Sequence, residues 1–240
     1  MGSTAGRWTA AVLTALATAL VIVAVAVVPF LSPPWVAFEQ GRAQATAWTG
    51  FSEAQLRVAT DAILADLVLG PPDFDVEVNG VPVLNEREQT HMRDVRGVFA
   101  GFAALAGIAV VGLAALYVIA RRAGHPERWW SAVRAGAIGL VGAIVVGGVI
   151  TIFAFDAAFE VFHRLFFAGG SYLFDPATDR LVQLFPFAFW SETTMALGSV
   201  IVALAAIVTV IAGPRRHAAS APSRTAPAPP VARPGSETVA

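Results

Sequence analysis

The chain has 240 residues, 56% of them hydrophobic and 14% charged, with a formal net charge of −1; so apolar a composition excludes an ordinary soluble domain of this size. It has no cysteine and no lysine, its 16 basic residues all being arginine. Disulfides, thiolate nucleophiles and thiolate metal sites are therefore excluded, as is Schiff-base or lysine-base chemistry.

Four apolar runs, 9–30, 97–120, 135–155 and 193–212, reach the length of about 20 residues that a bilayer requires. The expected fold is an all-α membrane protein of four transmembrane helices. The first run is longer than the core of a cleavable signal and lacks a small-x-small site with a polar flank, so it reads as an uncleaved span. If both ends lie inside, the inner pieces 1–8, 121–134 and 213–240 hold nine Arg against two acidic residues. The outer pieces 31–96 and 156–192 hold seven Arg against fifteen acidic residues. Arg121, Arg122, Arg128 and Arg134 crowd one short loop, and such basic enrichment marks the cytoplasmic side. The expected arrangement is one integral domain over 1–212 in a plasma membrane, with both termini cytoplasmic. A disordered Pro- and Ala-rich tail is expected over 213–240.

After the first span, Phe30, Trp35 and Phe38 suit an outer interfacial belt, and Pro33-Pro34 are expected to end the helix. Ser52 with Gln55 forms a capping-box pattern ahead of a helix over about 53–69, where Leu56, Ala59, Ile63 and Leu67 recur at helical spacing. Gly70-Pro71-Pro72 stops it. Residues 74–83 alternate around Asn79-Gly80, a hairpin signal, with Pro82 confined to an edge. The hairpin belongs to a small extracytoplasmic cap.

Asn85 and Glu88 form a second capping-box pattern, and nothing strong breaks a helix from there to Ala120. One helix is expected to begin in water and enter the membrane near Gly97. His91 then sits roughly 9 Å above that boundary at about 1.5 Å per residue. Arg87, Glu88, His91 and Asp94 share one face by their spacing. The third span carries Ala135, Gly139, Ala143 and Gly147 every fourth position, a stripe that would admit a close neighbouring helix. That helix is expected to run on through His163. Phe155, Phe159, Phe162 and Phe166 form an aromatic stripe around it at headgroup level. Asp175-Pro176-Ala177-Thr178-Asp179 reads as a turn in which each Asp bonds local backbone.

Two of the four histidines, His91 and His163, fall on the outer side near the membrane plane. Glu88 and Asp94 accompany His91, and Asp156 and Glu160 accompany His163. A carboxylate can orient an imidazole and raise its basicity. His91, His163 and Glu88 could together ligate zinc, but no short ligand motif such as H-E-x-x-H is present. Neither a metal nor a cofactor is expected, nor a nucleic-acid partner. No span has an ionisable residue near its middle, which argues against an ion pathway.

Glu88-Gln89-Thr90-His91-Met92-Arg93-Asp94-Val95 resembles the signature E-x-x-H-M-x-D-V of a four-span bacterial integral membrane family. Phe162-His163-Arg164-Leu165-Phe166-Phe167 and Asp175-Pro176-Ala177-Thr178-Asp179 resemble its second signature. The family includes the lipoprotein intramolecular transacylase, and the resemblance covers all but the 213–240 tail. It implies a shift of the sn-2 acyl chain of a diacylglyceryl-cysteine lipoprotein onto the cysteine α-amine, giving the lyso form. Diacylglyceryl-modified lipoproteins and membrane lipids would be the partners. It also implies that His91 and His163 are the catalytic pair, with base and oxyanion roles unassigned. Arg87 is a candidate to steady the oxyanion; Glu88, Asp94, Asp156 and Glu160 are candidates to bind or orient. Two other readings stand beside it: a non-enzymatic lipoprotein- or lipid-binding factor, and an outer-face hydrolase using Ser171 and His163.

Overall fold

A computed structural model of the protein describes residues 4–167 and 172–213. Four helices are long and apolar enough to cross a membrane: α1 (Thr4–Val27), α5 (Glu86–Arg122), α6 (Pro126–Phe153) and α9 (Phe187–Ile211). Their outward residues are apolar, among them Leu105, Ile108, Val111, Val146 and Val210. This is the pattern of a bundle whose solvent is lipid. The protein is a multi-pass membrane protein. The tail expected to be disordered lies outside the described residues, apart from Gly213.

Pro33-Pro34 begin a helix rather than end one: Ser32 closes the preceding turn and caps the next helix. The Ser32 hydroxyl accepts from Trp35 N, and Pro33-Pro34 occupy the first turn of α2 (Pro33–Arg42). A proline is tolerated there because its missing N–H would be unpaired anyway. The membrane helix has already ended in a 3-10 turn over Val28–Leu31. Beyond α2 come α3 (Ala45–Thr49) and α4 (Glu53–Val68). The Ser52–Gln55 capping box at the head of α4 is formed in both directions. The hairpin is short: β1 (Glu77–Val78) pairs antiparallel with β2 (Val81–Pro82). Asn79 and Gly80 both take positive φ at the turn, 55° and 74°, as the tight hairpin turn requires.

α5 is continuous over 37 residues, about 55 Å at 1.5 Å per residue. That exceeds the roughly 30 Å hydrocarbon core, so the charged first turns before Gly97 project beyond it. They stand in a cap whose core joins distant pieces: Ala45, Leu56, Ile63, Phe74, Val76, Leu84, Met92, Leu181 and Leu184. The last two belong to α8 (Arg180–Leu184). Arg42 ties α2 to α9 through Glu192 at 2.6 Å.

Two expectations about the third span are corrected. First, α6 does not run on through His163. Ala154 leaves helical geometry, with φ −145° and ψ 46°, and a separate amphipathic helix α7 (Phe155–Phe166) follows. No glycine or proline marks the break. On the far side of it Phe155 packs edge-on against Phe187, 5.0 Å between centroids. Second, the close helix contact is one residue out of register with the predicted stripe. Ala135, Gly139 and Ala143 are exposed, while Gly136 and Ala137 are buried. A Cβ on Gly136 would lie 2.8 Å from Ala15 Cα, so α1 and α6 touch there backbone to backbone. Ala137 joins Ile22, Ala26, Ile201 and Ala205 in the membrane core. The short connection 123–125 makes α5 and α6 antiparallel, yet α5 packs chiefly on α1.

Candidate functional site

The site grows from the first turns of α5. Asn85 Oδ1 accepts from the amides of Arg87 and Glu88, and Glu88 Oε2 accepts from Asn85 N at 2.8 Å. The second oxygen of Glu88 reaches across the fold and accepts from Leu181 N at 2.6 Å. Asp179 makes the matching clasp. It accepts from Arg87 Nη2 at 2.7 Å, Asn85 Nδ2 at 3.2 Å and Asp175 N at 2.7 Å. Glu88 and Asp179 are both buried, and between them they lock the segment after residue 172 onto the head of α5. Burial, the largest influence, pushes the Glu88 carboxyl up; the two backbone N–H bonds act the other way.

That clasp encloses His91, which is 6% exposed. Its ring stacks on His163 with centroids 6.1 Å apart and planes 20° apart. Phe167 (4.7 Å) and Phe174 (5.4 Å) complete the wall around it. His163, half-buried on α7, is held by Phe159 (4.0 Å) and Tyr172 (5.0 Å). The Arg87 guanidinium lies 5.1 Å from the Phe174 ring centroid.

His163 Nδ1 lies 2.8 Å from Phe159 O. A carbonyl oxygen only accepts, so Nδ1 carries the hydrogen and Nε2 keeps its lone pair. His91 Nδ1 is buried without a partner among the described residues. An orphaned acceptor is tolerated better than an orphaned N–H, which favours the tautomer with the hydrogen on Nε2. Both rings stand on turns outside the apolar spans. Burial lowers the His91 pKa to about 4, helped by the charge of His163 and opposed by Asp94. Burial also lowers His163, with the Phe159 carbonyl opposing it. At neutral pH the pair is uncharged: one ring offers a lone pair, the other an N–H.

The structure therefore brings His91 and His163 together, with Arg87 and Glu88 engaged in the clasp beside them rather than on the rings. Asp94 is exposed and acts on His91 through its charge alone. Asp156 and Glu160 are exposed; Glu160 pairs with Arg164, and the partner found at His163 Nδ1 is a backbone carbonyl. A zinc set of His91, His163 and Glu88 does not assemble, because both Glu88 oxygens are taken by amides. Among the described residues no three His, Asp or Glu side chains could hold a metal ion. Ser171, the candidate hydrolase nucleophile, lies outside the described residues. Sequence reasoning missed the walls Phe174 and Tyr172, and saw in Asp179 only a local turn.

The family model described as lipoprotein intramolecular transacylase Lit matches residues 10–190. The chain belongs to this family. The Lit family is one of intramolecular acyltransferases, so the chain is an enzyme of that class. Among solved structures it is similar to the membrane integral lipoprotein intramolecular transacylase Lit of Bacillus cereus, with a TM-score of 0.74 at 13% identity over 87% of this chain and 95% of that one. Two variants of the Bacillus cereus Lit, with one histidine replaced by arginine or by alanine, match with a TM-score of 0.70 at 14% identity. Each covers 86% of this chain, and 90% and 91% of its own. At that identity the likeness speaks for the fold; the family model carries the Lit assignment. A comparison with curated proteins returns no match.

Proposed function

We propose that this chain moves the sn-2 acyl chain of a diacylglyceryl-cysteine lipoprotein onto the cysteine α-amine, using His163 as base and His91 as hydrogen-bond donor. The observation that carries this reading is the stacked histidine pair at 6.1 Å in an aromatic enclosure at the mouth of the bundle, where burial disfavours protonation of either ring. The substrate brings its own nucleophile, so the missing Cys and Lys cost nothing. His163 Nε2 takes a proton from the attacking amine as the N–C bond forms. The Nε2–H of His91 steadies the oxyanion that the ester carbonyl becomes. On collapse the sn-2 C–O bond breaks and the proton on His163 passes to the glyceryl oxygen. The product is an amide and a free glyceryl hydroxyl; counted from the neutral amine no proton is gained or lost, and the ammonium form gives up one proton to solvent before attack. A His91 ring that resists protonation down to about pH 4 suits a donor better than a base.

Arg87 and Glu88 act in this reading as positioning residues, through Asp179 and Leu181. Asp94 adds a remote negative charge; Asp156 and Glu160 have no step to perform. The arginine asymmetry supports cytoplasmic termini, with 31–96 and 156–192 outside. The acyl chains of the substrate would then lie in the outer leaflet beside α7. Residues 1–212 act as one membrane unit, and 213–240 take no part in the chemistry. The test is mass spectrometry of lipoprotein N-termini from cells carrying the wild type, His91→Ala or His163→Ala. Lyso-form lipoprotein is expected with the wild type alone. Normal conversion by the His91→Ala protein would remove His91 from the mechanism.

A further inference from the structure

The end of the bundle remote from the histidine pair has its own chemistry. α5 carries Arg121 and Arg122 there, at the far end of its 37 residues. Arg7 on α1 and Arg128 and Arg134 on α6 lie at the same end, because α1 and α6 both begin there and touch at Ala15 and Gly136. Among the described residues Glu127 is the sole carboxylate at this end, and it pairs with His125 at 3.2 Å. None of the five guanidiniums makes an ion pair within the described residues.

Aromatic rings mark the level of this membrane surface. Tyr117, Trp129 and Trp130 pack edge to face, with Trp129 and Trp130 at 4.8 Å and Tyr117 and Trp129 at 5.0 Å. Trp129 Nε1 donates to Leu113 O at 3.1 Å. Arg134 is four residues beyond Trp130, so it shares that face of α6 about 6 Å deeper. Arg134 is half-buried, and its Nε is sealed from solvent with no acceptor among the described residues. An arginine at that depth is costly unless an anion meets it.

We propose that Arg134, with Arg128, binds the net-negative headgroup of an anionic phospholipid in the leaflet opposite the histidine pair. The occupant is a lipid rather than a soluble anion, because the receiving group sits inside the aromatic belt and beside apolar helix faces. The inference stands whichever reaction the histidines perform. The purified full chain in detergent would be titrated with phosphatidylglycerol and with phosphatidylcholine of the same acyl chains, and bound lipid counted by native mass spectrometry. Phosphatidylglycerol should be retained at about fivefold lower concentration or better. Arg134→Gln should bring the two lipids within about twofold of each other, while Arg134→Lys keeps part of the preference. Arg57→Gln, on the exposed face of α4, should leave it intact. Equal retention of the two lipids by the wild type would overturn the proposal even if no variant folds. So would an unchanged preference in Arg134→Gln, or displacement of the lipid by glycerol phosphate at matching concentration.

Discussion

Replacing Asp179 by Ala tests whether the clasp over His91 holds the site together. Asp179 is 5% exposed and accepts three hydrogen bonds. The bond from Asp175 N is partly buried and charge-assisted, contributing about 1.5–3 kcal/mol. The Arg87 side chain is 56% exposed, so solvent screening holds that ion pair to about 1 kcal/mol or less. The Asn85 amide contributes about 0.5–1.5 kcal/mol. Allowing for non-additivity, the loss should be about 3 kcal/mol, or roughly 6–12 °C in Tm on the scale of globular chains of this size. Asn at 179 keeps one accepting oxygen and should lose about half as much. The local consequence is more specific than the loss of stability. Freed from α5, Phe174 and Tyr172 no longer cover the histidines, so the His91 pKa should climb from about 4 toward the ordinary value near 6.5. Thermal unfolding in detergent measures the first effect, and NMR titration of labelled histidine the second. An Asp179→Ala protein with unchanged Tm and His91 still neutral at pH 5 would refute the clasp.

Three further outcomes follow from the same geometry. With a substrate amine of pKa near 8, kcat/KM should fall about tenfold per pH unit below that value. The fall should steepen only below the His163 pKa, which burial holds under 6.5; a steep limb beginning above pH 6.5 would remove His163 as base. Folding stability has an acid limb from His91, whose folded pKa of about 4 lies below its unfolded value near 6.5. The unfolded chain binds the proton first as pH falls, so up to about 3 kcal/mol present above pH 6.5 is lost progressively on the way to pH 4; unfolding midpoints of wild type and His91→Gln between pH 7 and 4 should diverge accordingly. In the membrane, Gly136→Val should cost about 1–3 kcal/mol or more, because its Cβ meets the Ala15 backbone, whereas Gly139→Ala should be neutral, since nothing lies within 4 Å; equal behaviour of the two in a detergent melt would put the α1–α6 contact elsewhere.

What the chain determines unaided is what depends on near neighbours. Four apolar runs specify four spans, since a bilayer selects by length and hydrophobicity alone. The two capping boxes, Ser52 with Gln55 and Asn85 with Glu88, close within three residues and form as written. The Asn79-Gly80 turn is likewise local. Tertiary structure decided the rest. Glu88 looked like a partner for His91, but its free oxygen is taken by Leu181, 93 residues away, a contact no spacing predicts. The small-residue stripe is one position out of register because helix rotation is set by what packs opposite, here Ala15 against Gly136. The break at Ala154 has no glycine or proline to announce it; it lies where α7 turns to lay Phe155 against Phe187 and Phe159 toward Trp190 on α9. His91 and His163 were legible as a pair from their motifs. Their tautomers were not, because each depends on what one ring nitrogen finds in the folded chain: a carbonyl at Phe159 for His163, and no partner among the described residues for His91.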